Sequence, residues 1–450
     1  MTKVHFIAVG GSVMHQLAIA LKLKGYQVTG SDDEIFEPAL SNLRQAGILP
    51  ATMGWDDSRI TPDLDAVILG MHARADNPEL LKARDLHLKI YSFPEYIYQE
   101  SLQKKRVAVG GSHGKTTTTA MIMHVLQQAG KDFDYLVGAR LAGFAQSVNI
   151  TNAPTIVMEA DEYPASVIEK RPKFHFLHPQ IAVLTGIAWD HINVFPTYEI
   201  YLEQFVIFIK TMEKGATLIY NDTDPELVKL VNAEGGHLKL VPYGVPAHTI
   251  SNGITSVTFG GETKAMEVFG DHNLLNMHAA RLVCNELGVD DTTFLSAIAT
   301  FKGAAKRLEL VGKNDHCAIY RDFAHAPSKV KATIEALKEQ YPDRTLIAVL
   351  ELHTYSSLNA AFMVQYQGAM DKADIPAVFY SRHALEIKRM PDLLPEGIAQ
   401  GFGRNDLQVF NNREHLQAFL DAQNYQNANL LLMSSGDYEG MNVPSLTKYL

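Results

Sequence analysis

Two cysteines in 450 residues, Cys284 and Cys317, leave no disulfide framework and no cysteine-rich metal site. Both are expected as buried apolar fillers. No run of about eighteen apolar residues occurs, so no membrane-spanning helix is expected. Repeats at solenoid or propeller spacing and low-complexity tracts are absent as well. The formal charge of −10 lacks the positive excess of a nucleic-acid or anionic-membrane surface. Neither partner is expected, nor is an obligate protein partner. The segment Met1 to Gly11 enters a strand directly, without a charged and then apolar leader, and a cytoplasmic location is expected. What remains is a globular composition, 46% hydrophobic and 20% charged. The length suits roughly three domains.

The stretch from Arg106 to Leu126 is the most informative. It reads as a buried strand, a glycine turn and an amphipathic helix, the architecture that binds phosphate. Gly110, Gly111 and Gly114 allow backbone N–H groups to approach an anion closely, and Ser112 and His113 complete the loop. Lys115 is placed to reach the β- and γ-phosphates of ATP, and the Thr116 hydroxyl to ligate Mg²⁺, with Thr117 behind it. The loop is one residue shorter than G-x-x-x-x-G-K-[ST], with Val109 where the first glycine would fall.

On the N-terminal side, Val4–Val9, Gln27–Gly30 and Ala66–Leu69 alternate with helical segments and predict a small parallel α/β domain over residues 1–103. Its Gly10-Gly11-Ser12 turn resembles a dinucleotide fingerprint without completing it. Asp32 stands where such folds set a carboxylate against a ribose or base. A central domain over 104–312 carries the phosphate loop. The strand from Thr155 ends in Glu159, Asp161 and Glu162, and Glu159 is the first candidate to hold Mg²⁺. The strand from Ile181 leads to Asp190 and His191, the latter a candidate for a second metal or a γ-phosphate. Beyond two hairpin strands near Ser256–Phe259 a helix carries Asn273 and Asn276 one turn apart, suited to a purine edge. A third unit, 313–450, is expected to be doubly wound, with Asp322, His325, His353, Ser434 and Ser435 at its strand ends.

Six segments in one order, Gly-Ser-His-Gly-Lys-Thr-Thr, Glu159-Ala-Asp-Glu-Tyr, Asp190-His191, Gly-x-His272-Asn273-x-x-Asn276, Arg307-x-Glu309 and Asp322-x-Ala-His325, resemble the Mur ligase family across nearly the whole chain. The resemblance implies three α/β domains: Rossmann-like, P-loop ATPase with a mainly parallel sheet, and Rossmann-like again. It implies ATP-dependent activation of a carboxylate as an acyl phosphate, followed by attack of an amine to form an amide. Lys115, Glu159 and His191 would act in catalysis, with Thr116, Glu159 and His191 as metal ligands. Asn273, Asn276, Arg307 and Asp322 would hold ATP with the loop. Gly10, Gly11, Ser12, Asp32, His72, His325, His353, Tyr355 and Ser435 would bind substrates, the loop of His353 and Tyr355 taking the amine. Within the family, Gly30-Ser-Asp-Asp and Lys306-Arg-Leu-Glu-Leu resemble enzymes that act directly on UDP-N-acetylmuramate. Those enzymes add L-alanine or, in cell-wall recycling, the tripeptide L-alanyl-γ-D-glutamyl-meso-diaminopimelate, and the second is expected here. Gly186 and Ala188 depart from the family's metal segment. Phe205 and Val206 stand where relatives carry a carbamylated lysine, so none is expected. Folylpolyglutamate synthesis, and an ATP-hydrolysing nucleotide sensor without ligase activity, are the rival readings.

Overall fold

The computed structural model describes the chain apart from residues 139, 140, 142, 167, 190–193 and 304–306. The chain forms two compact units, Met1–Gly244 with Leu275–Ile298, and Val245–Leu274 with Ala299–Leu450. No helix among the described residues is long and apolar enough to cross a membrane.

The first unit contains two sheets. The smaller is fully parallel, in the order Gln27–Ser31, Lys3–Ile7, Ala66–Leu69, Ile90–Ser92. Parallel strands need both faces covered, and Val4, Phe6, Val67 and Ile68 are fully buried. The helix Met14–Leu23 contributes Leu17, Ala18 and Leu21 to that core. Leu17 and Leu21 each contribute about 1.5–3 kcal/mol by leaving water. Buried polar residues here bond one another: His5 on the central strand meets Thr29 at 2.8 Å and Glu79 at 3.3 Å. Glu79 also accepts from Ser31 and from the Asp56 amide, so no hydrogen-bonding group is stranded.

The larger sheet has seven strands in the order Lys239–Tyr243, Thr217–Asn221, Ile181–Leu184, Lys105–Gly110, Thr155–Glu159, Asp134–Leu136, Val148–Asn149. All pairs are parallel except the last. One edge strand carries Pro242, and the other is two residues long. Lys105–Gly110 lies fourth, flanked by Thr155–Glu159 and Ile181–Leu184. Its register, Val109 beside Glu159 and Gly110 beside Leu184, brings three strand ends together where the phosphate loop begins. The helix Lys115–Gln128 starts with four threonines, poor helix formers by propensity. Thr117, Thr118 and Thr119 are buried, so packing decides the conformation.

In the second unit the expected two hairpin strands are three: His248–Ser251, Ile254–Phe259 and Glu262–Met266, antiparallel in that order. Asn252-Gly253 and Gly260-Gly261 all have positive φ, the geometry of the tight turns that match strand twist. The remaining sheet has the order Glu309–Lys313, Cys317–Asp322, Ala428–Met433, Thr345–Leu352, Ile375–Tyr380, Gln408–Phe410. Five strands are parallel, as the doubly wound pattern predicts. The first is an unexpected antiparallel edge, with a register shift between Leu310 and Gly312.

Candidate active site

The turn between Gly110 and Lys115 is built on backbone that only glycine supports. Gly111 has φ +123°, and a Cβ there would lie 2.3 Å from Thr185 Oγ1. Gly114, the residue before the helix, has φ +86°, and its Cβ would lie 2.3 Å from Asn276 Oδ1. The neighbouring strand end clamps the loop from outside. Thr185 donates its hydroxyl to the His113 carbonyl, and the Ser112 amide donates to Gly186 O at 2.9 Å. Asn276 accepts from Thr118 Oγ1 at 3.2 Å. The loop is therefore fixed by Thr185, Gly186 and Asn276, which lie about 70 to 160 residues away in sequence.

Lys115 opens the helix and folds back over the loop. Its Nζ donates to Gly111 O at 2.7 Å and to Glu162 Oε2 at 2.6 Å. Burial presses the ammonium toward neutrality, but Glu162, Asp161 and Glu159 outweigh it and raise the pKa. Thr116 Oγ1 donates to Glu159 Oε1 at 2.9 Å, and the Gly138 amide to Glu159 Oε2 at 2.9 Å. Burial raises the pKa of Glu159 despite those two donors. Desolvation works upward on Asp161, whose side chain is 36% exposed, yet Lys173, 2.7 Å from it, holds its pKa below the ordinary value. The expected loop residues and acidic strand end are thus assembled in one place. Carboxylate oxygen beside a threonine hydroxyl is the donor set that a hard divalent cation takes. Asp190 and His191 lie outside the described residues.

Elsewhere the expected residues hold their own backbone. Asp32 Oδ2 accepts from the Gly10 amide at 2.6 Å and Oδ1 from the Asp33 amide at 3.0 Å, closing the first glycine turn. Burial, with the Asp33 carboxyl adding to it, pushes the Asp32 pKa up to about 6. His15 Nδ1 meets Gly11 O at 2.8 Å, while Ser12 and His72 are exposed. In the second unit, Asn273 Nδ2 donates to Phe269 O, one turn back, which is a helix-start role. Asp322 accepts from the amides of Leu308 at 2.5 Å and Ala324 at 2.6 Å, and burial raises its pKa. The Arg307 guanidinium lies 4.7 Å from the centre of the Phe323 ring and acts electrostatically on Asp322. His325 Nδ1 meets Phe323 O at 2.8 Å. The Ser435 hydroxyl is buried and has no hydrogen-bond partner among the described residues. Tyr355 is exposed, with Lys388 Nζ 5.3 Å from its ring centre. Thr185, Gly138 and the role of Glu162 were missed. A threonine ending the strand next to the loop was the one signal for Thr185.

A short glycine loop with its lysine, set beside a cluster of carboxylates at the centre of a mainly parallel sheet, defines a nucleotide-triphosphate-using enzyme. Family models match in three consecutive stretches: the Mur ligase family catalytic domain at residues 3–105, the Mur ligase middle domain at 109–284 and the Mur ligase glutamate ligase domain at 306–436. A UDP-N-acetylmuramate–L-alanine ligase of a Sulfurihydrogenibium species is 32% identical over 426 residues, covering 92% of this chain and 90% of that protein. A UDP-N-acetylmuramate–L-alanyl-γ-D-glutamyl-meso-2,6-diaminoheptandioate ligase of Haemophilus influenzae is 28% identical and covers 100% of this chain and 99% of that protein. A murein peptide ligase structure from Psychrobacter arcticus superposes with a TM-score of 0.61 at 23% identity, over 100% of this chain and 99% of that one, a likeness of fold. The chain belongs to the Mur ligase family. It is an ATP-dependent ligase that forms a C–N amide bond, and its work lies in peptidoglycan synthesis.

Proposed function

We propose that the enzyme joins the carboxyl group of UDP-N-acetylmuramate to the amine of L-alanyl-γ-D-glutamyl-meso-diaminopimelate through an acyl phosphate. The observation that carries the chemistry is the loop with Lys115 and Thr116 against Glu162 and Glu159. The choice of amine is supported by the end-to-end match to the Haemophilus influenzae relative. We read the chain as three parts: 1–103 for the nucleotide sugar, 104–312 for ATP, and 313–450 for the amine.

A substrate carboxylate nearing the γ-phosphate meets repulsion that a cation must offset. Lys115 supplies one positive charge, released from Glu162 toward the phosphates. Thr116 and Glu159, with His191, would hold Mg²⁺, which when bound neutralises phosphate charge. Asn276 keeps the loop in register under the phosphates. Arg307 and Asp322 take part in ATP binding, and Asp32 with the Gly10-Gly11-Ser12 turn and His72 meets the nucleotide sugar. His325, His353, Tyr355 and Ser435 face the amine.

L-alanine as the amine is the second reading, because relatives bearing that activity reach 30–32% identity. The enzyme supplied with UDP-N-acetylmuramate, ATP and either L-alanine or the tripeptide, with products identified by mass, decides between them. The tripeptide adduct is expected; the L-alanine adduct alone reverses the choice. ATP turnover that ignores both the acceptor and the amine would instead favour a nucleotide sensor.

A further inference from the structure

In the second unit the C-terminal ends of Thr345–Leu352 and Ala428–Met433 lie on adjacent strands. There they gather one carboxylate, one imidazole and one serine hydroxyl. Glu351 is 1% exposed. Its Oε2 accepts from the Tyr438 amide at 2.9 Å and, in a shorter contact, from the Ser434 hydroxyl. Its Oε1 lies 3.8 Å from Nδ1 of His353, within ion-pair range, and the His353 side chain is 37% exposed. Asp437 is the remaining charged group that acts on Glu351, and burial raises the Glu351 pKa against the two donors and His353.

The following loop is shaped around this pair. A Cβ on Gly436 would lie 2.8 Å from Glu351 Oε2 and 2.8 Å from His353 Nδ1, so only glycine covers both. Tyr438 and Glu439 follow at φ +53° and +55°, left-handed backbone that side chains adopt at a cost. A cavity of about 170 Å³, lined in part by Asp322, Ser434, Gly436, Asp437 and Tyr438, opens beside it. Ser434 and Tyr438 could bond a glutamine equally well. The carboxylate facing Nδ1 instead selects the tautomer with its proton on Nδ1, which leaves Nε2 as the acceptor of the ring.

We propose that His353 takes the proton of the incoming amine and that Glu351 is a positioning residue, holding the ring and stabilising the imidazolium. The proposal rests on the amide-ligase reading and deepens it. An ammonium group R–NH₃⁺ has no lone pair for attack. Its proton passes to His353 Nε2, the nitrogen away from Glu351, leaving R–NH₂. The nitrogen lone pair then forms the C–N bond as the C–O bond of the acyl phosphate breaks. Phosphate leaves with that electron pair and takes the second N–H proton, and the imidazolium returns its proton to solvent.

The test compares wild type, His353→Ala and Glu351→Gln in amide formation across pH 6 to 10. ADP formed in a single turnover without amine serves as the internal reference, and melting temperature is read in parallel. Relative to that reference, His353→Ala should lose about 100- to 1000-fold in kcat for amide formation, partly restored by added imidazole. Glu351→Gln should lose about tenfold in that kcat while its KM for the amine stays unchanged. A lower melting temperature in Glu351→Gln with an unchanged kcat would make Glu351 a structural carboxylate and overturn the proposal. So would a His353→Ala effect confined to KM. Absence of amide from the wild type with every amine offered would refute the ligase reading itself, before any variant is compared.

Discussion

Replacing Lys115 with alanine removes the ammonium that Gly111 and Glu162 share. Ligation should be lost, because this ammonium is the charge that the loop itself carries toward the phosphates. The structure adds a second consequence. The ion pair has side-chain exposures of 13% for Lys115 and 0% for Glu162, so the substitution leaves a buried carboxylate beside Glu159 and Asp161. Breaking one partner of a buried pair costs about 3–5 kcal/mol. The double variant Lys115→Ala/Glu162→Gln should recover about 2 kcal/mol of the loss, as expected when both charges of a buried pair are removed together, and stay inactive. Urea unfolding of the single and double variants, with ADP release measured alongside, tests this. A double variant no more stable than Lys115→Ala would refute the ion-pair account, and retained ligation in either would remove Lys115 from the phosphates.

Gly114→Ala forces a side chain into φ +86° and against Asn276, so it should destabilise by about 2 kcal/mol or more and raise the KM for ATP; calorimetry and initial rates measure both. Asp32 has its folded pKa raised from 3.8 to about 6. The stability this gives the protonated form is full below pH 4 and lost by about pH 6, so the stability of wild type relative to Asp32→Asn should fall through that window and stay level above it. A flat difference between pH 4 and 6 would show that the carboxyl keeps its ordinary pKa. Tyr355→Ala, at an exposed position, should weaken amine use and leave both melting temperature and affinity for UDP-N-acetylmuramate unchanged; a selective loss of nucleotide-sugar affinity in titration would place this loop in the other site.

The strand, glycine loop and helix around Lys115 were legible because they are local: period, glycine placement and the Lys-Thr pair lie within some twenty residues. The acidic strand end was legible for the same reason. The partner of Lys115 was not, since three carboxylates crowd the segment Glu159–Glu162 and only the fold brings Glu162 to Nζ. Thr185 and Asn276 act on the loop, and Gly138 on Glu159, through sheet register and helix packing, which composition does not encode. Asn273, chosen for its spacing from Asn276, turned out to bond its own helix start. The antiparallel edge Glu309–Lys313 escaped notice because Gly312 interrupts its alternation. The Asn252-Gly253 and Gly260-Gly261 turns were plain hairpin signals that went unread.

The sheet edges have a consequence for behaviour in crowded solution. An unpaired strand invites a neighbour's strand to add to it, the first step toward aggregation. Here Pro242 removes a donor from one rim of the seven-stranded sheet, and the opposite rim offers only Val148–Asn149. The six-stranded sheet ends in the bulged Glu309–Lys313 and in Gln408–Phe410, three residues long. Glu262 and Lys264 place charges of both signs on an outer strand of the small sheet. A protein so bordered should tolerate high concentration without growing by strand addition.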